Sequence, residues 1–201
     1  MMKIKSYYSL TPDEKASFFT FLQEASKELS QPAHANMWSE DWQNTNITLP
    51  FLLENTDRFS KNGDFHIVFD EASIAACGGV YQSVFCHDLV LAGVRTWIAP
   101  DYRNQSIARD WLLPHQKQWA LSRKYSAIGL TFNDYNKNII SAWKRGKMGK
   151  RLGQRQHHHM FYSGLNEVPF AVTVQYTKQW LIYETIAIDW KFDWANIAWK
   201  D

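Results

Sequence analysis

The alternation of apolar and polar positions divides the 201-residue chain into short elements of two kinds. A first strand is predicted over residues 3–9. Thr11-Pro12-Asp13-Glu14 then reads as a helix start: a threonine that can cap, a proline suited to the first helical position, and a glutamate placed to complete a capping box. Phe18, Phe19, Leu22 and Ala25 follow at helical spacing. A second helix is expected within 39–57, broken near Pro50. The runs DFHIVFD (64–70) and SIAACGGVYQS (73–83) predict a hairpin joined at Glu71-Ala72. LVLAGVRTWIA (89–99) is an apolar run suited to a central strand buried on both faces, and Pro100 ends it because proline cannot donate to a ladder. A helix over 105–124 contains Pro114, which should kink it or remove one hydrogen bond. AIGLTF (127–132) reads as another buried strand. A short helix is expected over 136–145, with Ile139, Ile140 and Trp143 on one face, and two last strands over 157–163 and 179–188. The order β-α-α-β-β-β-α-β-α-β-β describes one α/β domain over 1–201, with helices on a mixed, mainly antiparallel central sheet.

Composition narrows the function classes. Ten tryptophans and twelve phenylalanines favour a large core, a groove or an interface. A net charge of +2 is too small to point to a nucleic acid or a membrane surface. No uncharged apolar run is long enough to span a bilayer. Cys77 and Cys86 are the only cysteines, which makes neither a disulfide framework nor a zinc ligand set. With no apolar core of signal-peptide length near the start, these features lead us to expect a soluble, cytoplasmic protein.

The chemistry concentrates in IAPDYRNQSIAR (98–109), which reads as a strand end, a tight turn and a helix start. A helix N-terminus leaves amides unpaired and favours an anion, so a strand-turn-helix with an arginine beside it suits a phosphate. An ordinary strand-to-helix connection with a surface arginine fits the same residues. The surroundings favour the first without removing the second. Pro100-Asp101-Tyr102, then Arg103-Asn104-Gln105-Ser106-Ile107-Ala108, then Leu112-Leu113, resemble the Arg/Gln-x-x-Gly-x-Gly/Ala signature of the GNAT superfamily of acetyl-CoA-dependent N-acetyltransferases. Leu130-Thr131-Phe132, followed by Asn136 and Ile140, resembles that family's second motif. The match is best over 64–148.

The resemblance implies a GNAT-like acyl-CoA N-acyltransferase fold with acetyl-CoA as co-substrate. The amides of Arg103, Asn104, Gln105, Ser106, Ile107 and Ala108 would hold the pyrophosphate. Trp97 and Ile98 would offer backbone to the pantetheine arm, and Asn136 would contact it. Each of the two motifs departs from the family pattern, the second also at Lys147 and Met148, where the family has a glycine and an aromatic. Ser106 replaces a glycine; binding survives there with a negative φ, and the hydroxyl can crowd a phosphate, bond to it, or cap the helix. Trp143 stands where the family's tyrosine protonates the leaving thiolate, and an indole N–H is no usable acid near neutral pH. Its loss slows transfer without forbidding it.

Three residues are candidate general bases. His87 and Asp88 precede the 89–99 strand and can act through water, or are simply loop residues. Glu184 shares a strand face with Trp180 and Ile182, which places it either in the cleft or at a solvated edge. Other features have plainer readings. His157-His158-His159 lacks a carboxylate or cysteine partner, so no metal site is expected. The basic stretch 144–155 reads as a solvated loop or a contact for adenosine phosphates or an acidic partner. Trp38 and Trp42 suit the core or an acceptor pocket. Trp190, Phe192, Trp194 and Trp199 would cover the sheet or make a homodimer contact. Cys77 fits a buried structural thiol. The expected activity is transfer of acetyl from acetyl-CoA to a primary amine of a small molecule or protein. The alternative is a catalytically silent protein of the same fold that senses acyl-CoA or binds a protein.

Overall fold

The computed structural model describes residues 1–29, 49–50, 53–55, 57–82, 89–125, 127–133, 150–155 and 158–164. Strand β1 (Met2–Ser6) leads through a 3-10 turn, Tyr7–Ser9, into helix α1 (Pro12–Leu29). Short helix α2 (Asp57–Asn62) precedes β2 (Gly63–Asp70), β3 (Ser73–Gln82) and β4 (Leu89–Ile98). A 3-10 turn (Pro100–Tyr102), a π-turn (Ala108–Leu112) and helix α3 (Leu113–Ser122) lead to β5 (Ala127–Asn133). β6 (Lys150–Arg155) and β7 (His158–Gly164) follow. The seven strands form one sheet in the order β1-β2-β3-β4-β5-β7-β6. Every neighbouring pair is antiparallel except β4–β5.

Local chemistry accounts for most boundaries. Glu14 N donates to Thr11 Oγ1 at 3.2 Å and Thr11 N to Glu14 Oε2 at 3.1 Å, so the capping box forms reciprocally. The β2–β3 hairpin turns at Glu71-Ala72 as expected, with Glu71 in the left-handed region at φ 55°. The first strand is shorter than the predicted 3–9. Ser6 Oγ accepts from Tyr8 N and Ser6 O accepts from Ser9 Oγ, so a side chain starts a turn where apolar content suggested strand. Pro114 does not break its helix. It follows the wide π-turn, in which Leu113 N reaches back to Ala108 O, and this wider spacing accommodates a residue without an N–H.

The stretch 150–155, expected as loop, is strand β6. Its charged residues sit at the sheet edge, where charge discourages further pairing, and β7 supplies the ladder that local sequence does not announce. Residues 49–50 and 53–55 are helical, and α2 extends past the predicted end at 57. The predicted helix 136–145 and strand 179–188 lie outside the described residues.

The sheet is covered on two faces. On one, α1 packs Phe18 against Phe65 and Phe21 against Trp97, with ring centroids 5.6 and 4.5 Å apart. On the other, the π-turn and α3 cover two apolar clusters. One joins Val68, Ala76, Ile107 and Leu112; the other joins Val80, Val90, Ala92, Trp119, Ile128 and Leu130. The expected burial of β4 on both faces holds at Val90, Leu91 and Ala92.

Candidate functional site

The parallel pairing of β4 with β5 is brief. It runs from Leu89–Ala127 to Ala92–Leu130 and stops, while both strands continue. Among the described residues, β4 goes on to Ile98 paired only with β3, and β5 to Asn133 paired only with β7. The sheet therefore opens as a wedge between the two strands. Its apex carries two irregularities. Cys77 faces Trp97 and Gly79 faces Val94, so three steps on β4 match two on β3; Val80 then faces Ala92, two steps against one. Gly93 (φ 70°) and Arg95 (φ 50°) mark these extra residues. Bulges bend a strand and increase its twist, which carries β4 away from β5.

One side chain stitches this apex. Gln116 of α3 is buried; its Nε2 donates to Gly78 O and Gly79 O, both at 3.1 Å, and its Oε1 accepts from Gly93 N at 3.2 Å. These bonds reach backbone groups at the bulged stretch from outside the sheet, where burial makes a lost partner costly. Gly78 is small because a Cβ there would lie 2.7 Å from Thr96 Oγ1.

At the far end of β4 the chain turns. Tyr102 N donates to Ala99 O and Arg103 N to Pro100 O, and Gln105 Nε2 donates to Asp101 O. Tyr102 is anchored through its hydroxyl to Asp70 Oδ2 at 3.4 Å. Asn104 (φ 64°) and Ser106 (φ 57°) are both left-handed. Ser106 thus takes the backbone conformation that glycine takes freely, not the negative φ expected as the condition for binding; its N–H keeps instead the placement a glycine would give it, with the Cβ added to the turn. Nor does its side chain cap the helix: Arg109 N and Asp110 N bond to Ser106 O, and no side-chain cap bond is made at the helix start. Of the six amides expected to hold a pyrophosphate, that of Arg103 is taken by Pro100 O, and those of Asn104, Gln105, Ser106, Ile107 and Ala108 have no acceptor among the described residues. Ile107 is buried against Val68 and Leu112, which fixes these amides on a rigid base. They meet the requirement for holding a phosphate group.

The charges around the turn are balanced. Arg103 Nη2 donates to Glu28 Oε2 at 2.5 Å and its Nε to Ile98 O at 3.1 Å. Arg109 pairs with Asp110 at 2.6 Å. An anion would be held chiefly by oriented amides, with little net positive charge in support. Trp97 adds an indole N–H to Glu28 Oε2 at 3.1 Å.

A second polar group lies buried on the α3 face, away from the wedge. Ser6 Oγ is 2.7 and 2.9 Å from the Asp64 carboxylate oxygens, and Phe65 N donates to Asp64 Oδ1 at 2.7 Å. His66 Nε2 lies 3.4 Å from Asp64 Oδ2 without the alignment of a hydrogen bond. Its ring stands edge-on to His115, with centroids 4.6 Å apart. Burial lowers the pKa of His115 and His66 adds to this, against an opposing pull from Asp64.

The structure brings Trp97, Ile98 and the residues from Arg103 to Ala108 to one rim of the wedge. Ile98 O is taken by Arg103. His87, Asp88, Asn136, Trp143 and Glu184 lie outside the described residues, as do Trp38, Trp42, His157 and the four C-terminal aromatics. Cys77 is fully buried and its thiol is pushed up to about 12 by desolvation, as a structural cysteine should be. Among the described residues no group of His, Cys, Asp and Glu is suited to a metal ion. No helix there is long and apolar enough to cross a membrane. Glu28 and Gln116 are absent from the sequence expectations. Gln116 had a signal, a polar residue at helical spacing from Leu112, Trp119 and Ala120; Glu28 had none.

No family model matches the sequence, and no curated protein matches it. Solved structures do resemble its fold. A GNAT-family acetyltransferase from Staphylococcus aureus Mu50 aligns at a TM-score of 0.56 and 14% identity, over 83% of this chain and 100% of that one. The PaiA N-acetyltransferase of Thermoplasma acidophilum, solved in complex with coenzyme A, aligns at 0.58 and 10% identity, over 82% and 99%. The ribosomal-protein-S18-alanine N-acetyltransferase of Escherichia coli aligns at 0.52 and 15% identity, over 86% and 99%. The chain therefore has the mixed α/β, largely antiparallel fold of the GNAT acyl-CoA N-acyltransferases.

Proposed function

We propose that the chain binds an acyl-CoA, specifically acetyl-CoA, in the wedge and transfers the acetyl group to a primary amine of a small molecule or protein. The observation that carries this reading is the register: β4 and β5 part after Ala92–Leu130, and the longer of them ends at a turn whose amides from Asn104 to Ala108 have no acceptor among the described residues. An extended arm laid in the wedge would meet backbone on the open side of β4, with its diphosphate on the amides of Ser106, Ile107 and Ala108. Bound acetyl-CoA supplies a thioester carbonyl to which an amine adds and from which a thiolate departs. The protein's contribution is to hold that carbonyl and the amine together in the wedge, and to present fixed backbone dipoles to the developing oxyanion. Glu184, Asp88 and His87 are the candidates for taking the amine proton.

A silent acyl-CoA sensor or protein-binding module is the second reading. It is favoured by Trp143 at the position of the family's acid and by the charge balance around Arg103. Thiol release from acetyl-CoA with a panel of primary amines separates the two. Amine-dependent release supports the transferase. Tight acetyl-CoA binding without release under any amine supports the sensor.

A further inference from the structure

Glu28 stands near the end of α1, 75 residues from Arg103 and 69 from Trp97, yet its Oε2 accepts from both side chains. Arg103 also donates its Nε to Ile98 O. A guanidinium is a rigid planar fork with five donors. Two acceptors on its Nε and Nη2 atoms fix the plane of the group. Nη1 has no acceptor among the described residues, so part of the fork remains free for a ligand.

The pair is partly exposed, with the Arg103 and Glu28 side chains 41% and 22% accessible, so its Coulomb energy contributes little to stability. What it supplies is geometry. An arginine on an exposed turn otherwise samples many rotamers, and ordering it on binding costs affinity. Trp97 on the same carboxylate oxygen ties this arrangement to the end of β4, at the rim of the wedge.

We infer that Glu28 is a positioning residue for the diphosphate of coenzyme A, holding the Arg103 guanidinium beside the free turn amides with its remaining donors open. The inference rests on the reading of that turn as the coenzyme site. Glu28 does not touch the ligand and acts through Arg103. A glutamine should replace it, because an amide oxygen still accepts from Arg103 and Trp97. An alanine should not.

The test titrates coenzyme A into the wild-type chain and into Glu28→Ala, Glu28→Gln, Arg103→Ala and the Glu28→Ala/Arg103→Ala double variant. Pantetheine, which lacks the diphosphate, is titrated alongside, and thermal unfolding verifies that each variant folds. Loss of one charge-assisted positioning contact predicts about fivefold weaker coenzyme A binding in Glu28→Ala. Glu28→Gln should stay within about twofold of wild type by the same reasoning. The double variant should bind no worse than Arg103→Ala alone, since both changes remove one device. Pantetheine binding should be the same throughout. Wild-type binding with an unaffected or tighter Glu28→Ala overturns the inference and leaves the coenzyme site standing. Equal losses for pantetheine and coenzyme A also overturn it, since that describes a general disturbance of the fold. No wild-type binding of coenzyme A overturns both.

Discussion

The two halves of β4 are built on opposite terms. Val90–Ala92 pairs with strands on both sides, and Val90 and Ala92 join an apolar cluster with Trp119 and Ala120. The half from Gly93 to Ile98 has one neighbour among the described strands, carries two bulges, and is held by polar ties to Gln116, Glu28 and Arg103. A sheet closes where apolar side chains stack on both faces. It is kept open here by extra residues, and the backbone beside them is bonded by Gln116 from outside the sheet. The cost of the opening is met by specific hydrogen bonds, so substituting those residues should break the difference between the halves.

The largest effect should come from Gln116→Leu. It fills similar space but leaves Gly78 O, Gly79 O and Gly93 N buried without their partner. Unmet buried groups cost about 1–3 kcal/mol each, partly relieved by relaxation, so a loss of about 3 kcal/mol is expected in urea unfolding. A loss below about 1 kcal/mol would mean that the bulges hold themselves.

Next is Ser106→Gly. A side chain at φ 57° costs about 1–2 kcal/mol relative to glycine, which the greater freedom of glycine in the unfolded chain partly offsets. A gain of about 1 kcal/mol is expected in the same assay, together with tighter acetyl-CoA binding as the Cβ leaves the turn. Unchanged stability would show that the left-handed turn is not strained by serine.

The smallest effect concerns the paired side of the sheet. His115 has its pKa lowered from 6.5 in the folded state by burial and by His66, with Asp64 opposing. The unfolded chain therefore binds more protons below pH 6.5, so the stability from neutral His115 is full above that pH and is lost as pH falls through 6.5 toward the folded value. The melting temperature should drop between pH 7.5 and 5.5, and His115→Gln should drop less. Equal slopes would assign the pH response to other groups.

Sequence made the local events legible. Thr11 and Glu14 state their helix start within four residues, and Glu71-Ala72 states its turn. The apolar run of β4 and the Arg103–Ala108 turn were also readable, since each depends on neighbours in the chain. The rest was not local. β6 owes its strand to β7, against a composition that reads as loop. Gln116 meets carbonyls 37 and 38 residues away, and Glu28 meets an arginine 75 residues away. The positive φ at Ser106 was not legible either, because a serine does not announce a backbone conformation that side chains rarely adopt.

The central claim is that the open half of β4 and the turn beyond it form an acyl-CoA site. Amide hydrogen exchange, followed with and without saturating acetyl-CoA, tests it most directly. The account predicts new protection over 94–98 and 106–108 and none over β1 and β2. Exchange unchanged in both segments, or protection confined to other parts of the sheet, would contradict it.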